Sequence, residues 1–126
     1  MPMPSFSKSP PELVARFAAI ADALPEVERR QMFGYPCIFV GGNLVTGLYQ
    51  DLWHVRLAEP DRAELLAMPG AGPFEPMPGR AMGGYVVLPL DVVADDLALR
   101  GWVDRAIEHG RSMPPKAPRT RKGTAR

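Results

Sequence analysis

Few residues in this chain have nucleophilic, metal-binding or acid–base capacity, and their spacing limits what they can do. Cys37 is the single cysteine, and His54 and His109 are the only histidines. A zinc site draws three or four ligands at recognisable spacings. One cysteine and two distant histidines offer no such set, so no metal is expected. Cys37 lies in the apolar run YPCIFV. A reactive cysteine needs exposure and a positive neighbourhood to form thiolate. Pro36, Ile38 and Phe39 supply neither, so Cys37 reads as a buried structural thiol. Asp95-Asp96 is a carboxylate pair, but adjacent helical residues do not face one another. Capping of a helix start explains the pair better than acid–base chemistry, and Asp51 reads first as a turn residue. Gly41-Gly42 and Gly83-Gly84 precede no helix that would aim N–H groups at a phosphate. No GKS/T, Gly-x-Ser-x-Gly, HExxH or paired CxxC is present. No catalytic residue and no cofactor is assigned.

Two charged sets remain. Arg56 and His54 share one face of a predicted strand, and Arg80 sits in a Pro/Gly-rich stretch between Met77 and Met82. Arg56, His54, Arg80, Met77 and Met82 form the candidate anion or partner surface, because methionine adapts to varied partners. Solvated or salt-bridged arginines, Arg30 among them, are the plainer reading, since guanidinium on a sheet face is common and pockets are few. The second set is the C-terminal basic stretch. Residues 111–126 hold six Lys/Arg and no acid, while residues 1–110 hold nine Lys/Arg against all fourteen Asp/Glu, a balance of −5. Lys116, Arg119, Arg121 and Lys122 are candidate phosphate contacts for weak, sequence-blind nucleic-acid binding. No interleaved aromatic offers stacking and no recognition helix is evident. The plainer reading of this set is a solubilising tail.

The elements that position these residues follow from periodicity and turn residues. A helix over 10–24 is predicted, with Ser9 as cap, Glu12 completing a capping box and Pro25 as stop. Leu13, Phe17, Ile20 and Leu24 give its apolar spacing, with Val14 and Ala21 beside them. Residues 26–32 suit an edge strand, whose charge discourages unwanted pairing. Residues 35–40, 44–49 and 52–58 read as strands joined by turns of two or three residues, which permit only an antiparallel meander. In the third, Trp53, Val55 and Leu57 alternate with His54 and Arg56, so one face is expected buried and the other wet. A helix opens at Glu59-Pro60-Asp61. The Pro/Gly-rich residues 69–83 form a loop anchored by Phe74, Met77 and Met82, and residues 85–88 form a strand. A loose turn at 90–93 precedes a helix from Asp95 or Asp96, with Leu97 or Leu99, Trp102, Val103, Ala106 and Ile107 inward and Gly110 as stop. The order is α-β-β-β-β-α-β-α. It predicts an α+β domain, a two-layer arrangement with an antiparallel β-meander sheet covered on one face by helices. Residues 1–9 are expected to be a flexible lead, 10–110 the folded domain and 111–126 a disordered basic tail. A single cysteine excludes an intramolecular disulfide. No apolar run approaches a membrane span and no signal peptide is evident, so the cytoplasm is the expected compartment and no membrane contact is expected.

The string Met32-Phe33-Gly34, followed by an apolar strand and a Gly-Asn turn, then LYQDLWHVRL and PFEPMPGRAMGGYVVLP, resembles the N-terminal domain of the TfoX/Sxy family over about residues 12–108. The founding members regulate natural competence by acting on transcription together with the cyclic-AMP receptor protein, and they carry a further helical C-terminal domain. Residues 111–126 do not resemble that domain. The resemblance implies no established catalytic residues. The leading expectation is a stand-alone, non-enzymatic TfoX N-terminal module. It would be a regulatory protein-interaction domain, linked to transcription or competence, that uses its free sheet edge or the Met77–Met82 loop. Its partner is unidentified and a homodimer is a further candidate. The alternatives are nucleic-acid association through the tail, and a small-molecule or anion binder or enzyme with a pocket near Met32, Phe33, Arg56 and Tyr85.

Overall fold

The computed structural model describes residues 8–24, 27–32, 34–75, 79 and 83–114. Helix α1 (Pro11–Asp22) is followed by four strands: β1 (Glu28–Met32), β2 (Tyr35–Val40), β3 (Asn43–Tyr49) and β4 (Leu52–Arg56). Then come α2 (Glu59–Leu66), β5 (Gly72–Pro73), β6 (Tyr85–Val87), the single-turn α3 (Leu90–Val93) and α4 (Asp96–Ser112). The strands pair antiparallel in one sheet of order β1-β2-β3-β4-β6-β5. The expected α+β meander is the fold, with β1 as its charged edge. The Pro/Gly-rich stretch also contributes a two-residue strand, β5, outside β6. Between β2 and β3, Gly41 and Gly42 take φ of +57° and +82°, which a tight hairpin turn demands and glycine supplies without strain.

The helices lie on one face of the sheet. Ile38, Val45, Leu48, Trp53, Val55, Leu57 and Val86 from the sheet side pack with Phe17 of α1, Leu65 of α2 and the apolar stripe of α4. Burying each of these aliphatic side chains stabilises the fold by roughly 1.5–3 kcal/mol. The Phe17 and Trp53 rings sit 5.0 Å apart. Of the two candidate leucines at the start of α4, Leu99 is fully buried and Leu97 is exposed. Arg16 fastens α1 to the far end of the layer: its Nε donates to the Val93 carbonyl at 2.6 Å, and its guanidinium pairs with Asp96. Asp95 caps α4 as expected, accepting from the N–H groups of Leu97 and Ala98.

Three local expectations fail for identifiable reasons. Ser9 does not cap α1. Pro10 occupies the cap position, and the Ser9 hydroxyl donates instead to the Gln50 carbonyl at 2.6 Å, tying the chain to the β3–β4 turn. Val14, expected beside the inward face of α1, is exposed. Gly110 does not stop α4, which runs on to Ser112. It sits where α4 lies close against β2 and β3. A Cβ there would stand 2.5 Å from Val45 Cγ1 and 3.1 Å from Val40 Cβ. The β2–β3 register shifts between Ile38 and Phe39, so Val45 is an extra residue in the ladder and belongs to the helix-side core.

One buried polar link holds β3 to β4. The Thr46 hydroxyl donates to the His54 carbonyl at 2.8 Å and accepts from Trp53 Nε1 at 2.9 Å. Thr46→Val keeps the shape and strands the indole N–H in the core. An unmet buried donor costs about 1–3 kcal/mol. The unfolding free energy from guanidinium-chloride titration is expected to fall by that amount, through a lower midpoint at an unchanged m-value.

Candidate functional site

Cys37, Gly47 and His54 are register partners across β2, β3 and β4. A Cβ on Gly47 would meet Cys37 Sγ at 2.9 Å and His54 Cε1 and Nε2 at 3.1 Å. The sulfur and the imidazole therefore lean over the glycine from opposite sides. His54 was expected on a wet face, and the structure overturns that. The alternation along β4 holds, but the second face is covered at this point. Cys37, Phe39, Leu44, Phe74 and Tyr85 form a smaller apolar cluster there. Phe74 stacks on the His54 ring at 4.2 Å and Tyr85 meets it edge-on at 5.8 Å. His54 is only 3% exposed. Among the described residues, its Nδ1 is the buried side-chain polar atom with no hydrogen-bond partner.

Burial lowers the His54 pKa to about 3. Burial likewise pushes the Cys37 thiol up to about 11, against a smaller downward pull from the Met32 backbone. Both groups are thus held neutral. An activated cysteine–histidine pair requires the opposite shifts, a thiolate beside an imidazolium. Met32 packs against the same cluster.

The other chemically distinctive place is the end of the sheet where β4 finishes. Arg56 lies with its Cζ 5.5 Å from the centre of the Tyr85 ring, and the Tyr85 hydroxyl is fixed by donation to the Leu44 carbonyl at 2.9 Å. Burial raises the Tyr85 pKa, and the Arg56 charge opposes that rise. Arg62, in the first half of α2, donates Nη1 to the Leu57 carbonyl at 2.8 Å. Both arginines reach Gly84, where φ is +89°. The His109 pKa is lowered, first by burial and then by the charges of Arg56 and Arg62, with Asp61 acting the other way.

Of the expected surface residues, the structure brings Arg56 to this end and encloses His54 in the sheet. Met77, Arg80 and Met82 lie outside the described residues, as do Phe33 and the tail residues Lys116, Arg119, Arg121 and Lys122. Arg62 and His109 are the neighbours of Arg56 that sequence reasoning did not single out. A local signal for Arg62 existed. Only the short β4–α2 connection separates it from Arg56, so both must emerge at the same end of the sheet. His109 depends on how α4 packs, which no local pattern specifies.

A further feature lies beside β1. A cleft of about 290 Å³ opens between α1 and β1, with Val14, Phe17, Ala18 and Pro36 on its apolar side and Arg29 and Arg30 at its rim. Among the described residues, no three His, Cys, Asp or Glu side chains form a group able to hold a metal ion. No helix among them is long and apolar enough to cross a membrane.

With the fold and these sites established, comparison with known families is decisive. The family model described as the TfoX N-terminal domain matches residues 19–110. The chain belongs to the TfoX N-terminal domain family. No curated protein and no solved structure matched. The matched span of this TfoX N-terminal domain begins within α1 and ends at Gly110, where α4 approaches the sheet closely. It includes all six strands. The motifs behind the resemblance have structural roles. Met32 and Gly34 flank the β1–β2 turn, Phe74 covers His54, and Tyr85–Val87 is β6.

Proposed function

We propose that this TfoX N-terminal domain is a non-enzymatic, regulatory interaction module that receives an extended segment of a partner protein along β1. The outer edge of β1, unpaired among the described residues, carries the reading. It ends the sheet, Glu28, Arg29, Arg30 and Gln31 are exposed, and the apolar cleft under α1 runs beside it. A strand added to a sheet edge gains backbone hydrogen bonds and places alternate side chains to one side. Here that side holds Val14 and Pro36. The opposite edge offers only the two residues of β5, one of them a proline. The neutral Cys37 and His54 support the non-enzymatic part of the reading.

The test is capture of partners from native lysate by the wild-type protein and by Val14→Glu, followed by hydrogen exchange of the captured complex. The reading expects slowed exchange confined to the β1 amides and the α1 face. It also expects about a tenfold loss of capture in Val14→Glu, the size of effect that removing one central apolar contact brings. Protection elsewhere, or undiminished capture by Val14→Glu, would overturn it.

A further inference from the structure

Among the described residues, Arg16, Arg29, Arg30, Arg100, Arg105 and Arg111 each face a carboxylate within 4.0 Å. Arg56 and Arg62 face none, and these two stand together. The position a Cβ would take on Gly84 lies 3.7 Å from Arg56 Nε and 3.8 Å from Arg62 Nη1. Two like charges so placed repel one another. Each is held by a neutral group: Arg56 by the face of Tyr85, Arg62 by the Leu57 carbonyl. Neither prop cancels charge, and no carboxylate among the described residues compensates either guanidinium group. Two acids of α2, Asp61 and Glu64, pair with Arg105 at 3.2 and 3.0 Å. Gly84, whose carbonyl accepts the Leu57 N–H at 3.1 Å, places its backbone between the two cations.

We propose that Arg56, Arg62 and the Gly84 backbone form a binding site for a phosphate monoester dianion. Two flanking guanidinium groups match two negative charges, and their planar forks suit phosphate oxygens better than a point cation does. Arg62 retains Nε and Nη2 as donors after its bond to Leu57. His109 stands near as a neutral ring, its protonation opposed by burial and by the same two arginines. The site is at the far end of β4 from the β1 cleft and does not depend on what β1 binds.

The experiment is titration of the full-length protein at neutral pH with inorganic phosphate, O-phosphoserine and, as a monoanion control, acetate, at constant ionic strength. The readout is the NMR shifts of the Gly84 amide and the Arg56 and Arg62 Nε–H groups. Saturable shifts at these groups in millimolar phosphate are expected, with about tenfold weaker response to acetate and about tenfold loss in Arg56→Gln/Arg62→Gln. Arg111→Gln should bind as wild type does. Should the double variant fail to fold, Arg62→Lys preserves the charge without the fork and is expected to lose about fivefold. Equal affinity for inorganic phosphate and O-phosphoserine identifies a free phosphate group as the ligand, and tighter phosphoserine identifies a phosphorylated residue. Both results uphold the site. Absence of saturation, equal response to acetate, or equal weakening by Arg111→Gln would overturn it.

Discussion

Acidification from neutrality to about pH 4 is expected to cost this domain about 3 kcal/mol through His54 alone, and His54→Phe should remove that part of the loss. The ring is enclosed by Phe74, Tyr85 and Cys37, and its pKa falls from the ordinary 6.5 to about 3. An unfolded chain binds a proton there once the pH drops below about 6.5, whereas the folded chain refuses it down to about pH 3. Between those values the unfolded state holds more protons, so stability falls as pH falls. Above the window His54 is neutral in both states and contributes no pH dependence. Carboxylates titrate over part of the same range, so the informative quantity is the difference between wild type and His54→Phe at each pH. At neutral pH the variant should be more stable by about 1 kcal/mol, because the unpartnered Nδ1 is removed and the stack on Phe74 is kept. Urea midpoints at several pH values measure both effects. Parallel pH profiles for the two proteins would contradict the account.

The second large effect separates two glycines on one helix. Gly101→Ala in α4 should stabilise by about 1 kcal/mol, the ordinary helical preference for alanine, because nothing lies within 4 Å of the added methyl. Gly110→Ala carries the same preference and should nonetheless destabilise by about 2 kcal/mol net, because overpacking a filled core costs more than the propensity gain. Its methyl would press into Val45 Cγ1 at 2.5 Å, and Val45 is fully buried on a strand. Shortening the obstructing side chain should recover much of the loss, so Val45→Ala and Gly110→Ala are expected to be non-additive in a double-mutant cycle. Thermal midpoints of the four proteins decide it. A stabilising Gly110→Ala would mean that α4 does not lie this close to β2 and β3.

The strands were legible because their signal is local. YPCIFV reads as β2 from its composition, and the two- and three-residue connections leave no alternative to a meander. The α3 turn and the Asp95 cap were readable for the same reason. What escaped the sequence depends on tertiary packing. His54 alternates with Trp53 and Val55 as expected, but whether its face is wet depends on Phe74, twenty residues later. Gly110 looks like a C-terminal stop in any local reading, and only the approach of α4 to Val45 shows another role. Arg56 was legible as an odd cation, while its pairing with Arg62 needed the end of the sheet to be built. Ser9 and Glu12 match a capping box by spacing, yet a hydroxyl within reach of the Gln50 carbonyl takes that partner instead.

The charges on β1 also bear on two-fold symmetry. Arg29 reaches Asp22 on α1, and Arg30 reaches Glu28 on its own strand. If two copies of this domain joined their β1 edges antiparallel about a dyad through the middle of the strand, Arg30 would oppose Arg30, and a dyad one residue earlier would set Arg29 against Arg29. Like charges directly opposite across a strand pair destabilise it, and an isologous contact repeats the clash on both sides of the axis. The same edge sets no such penalty against a foreign strand that brings acids to those positions. If β1 receives a partner strand as proposed, these charges would weigh against a second copy of the chain and for a strand carrying acids.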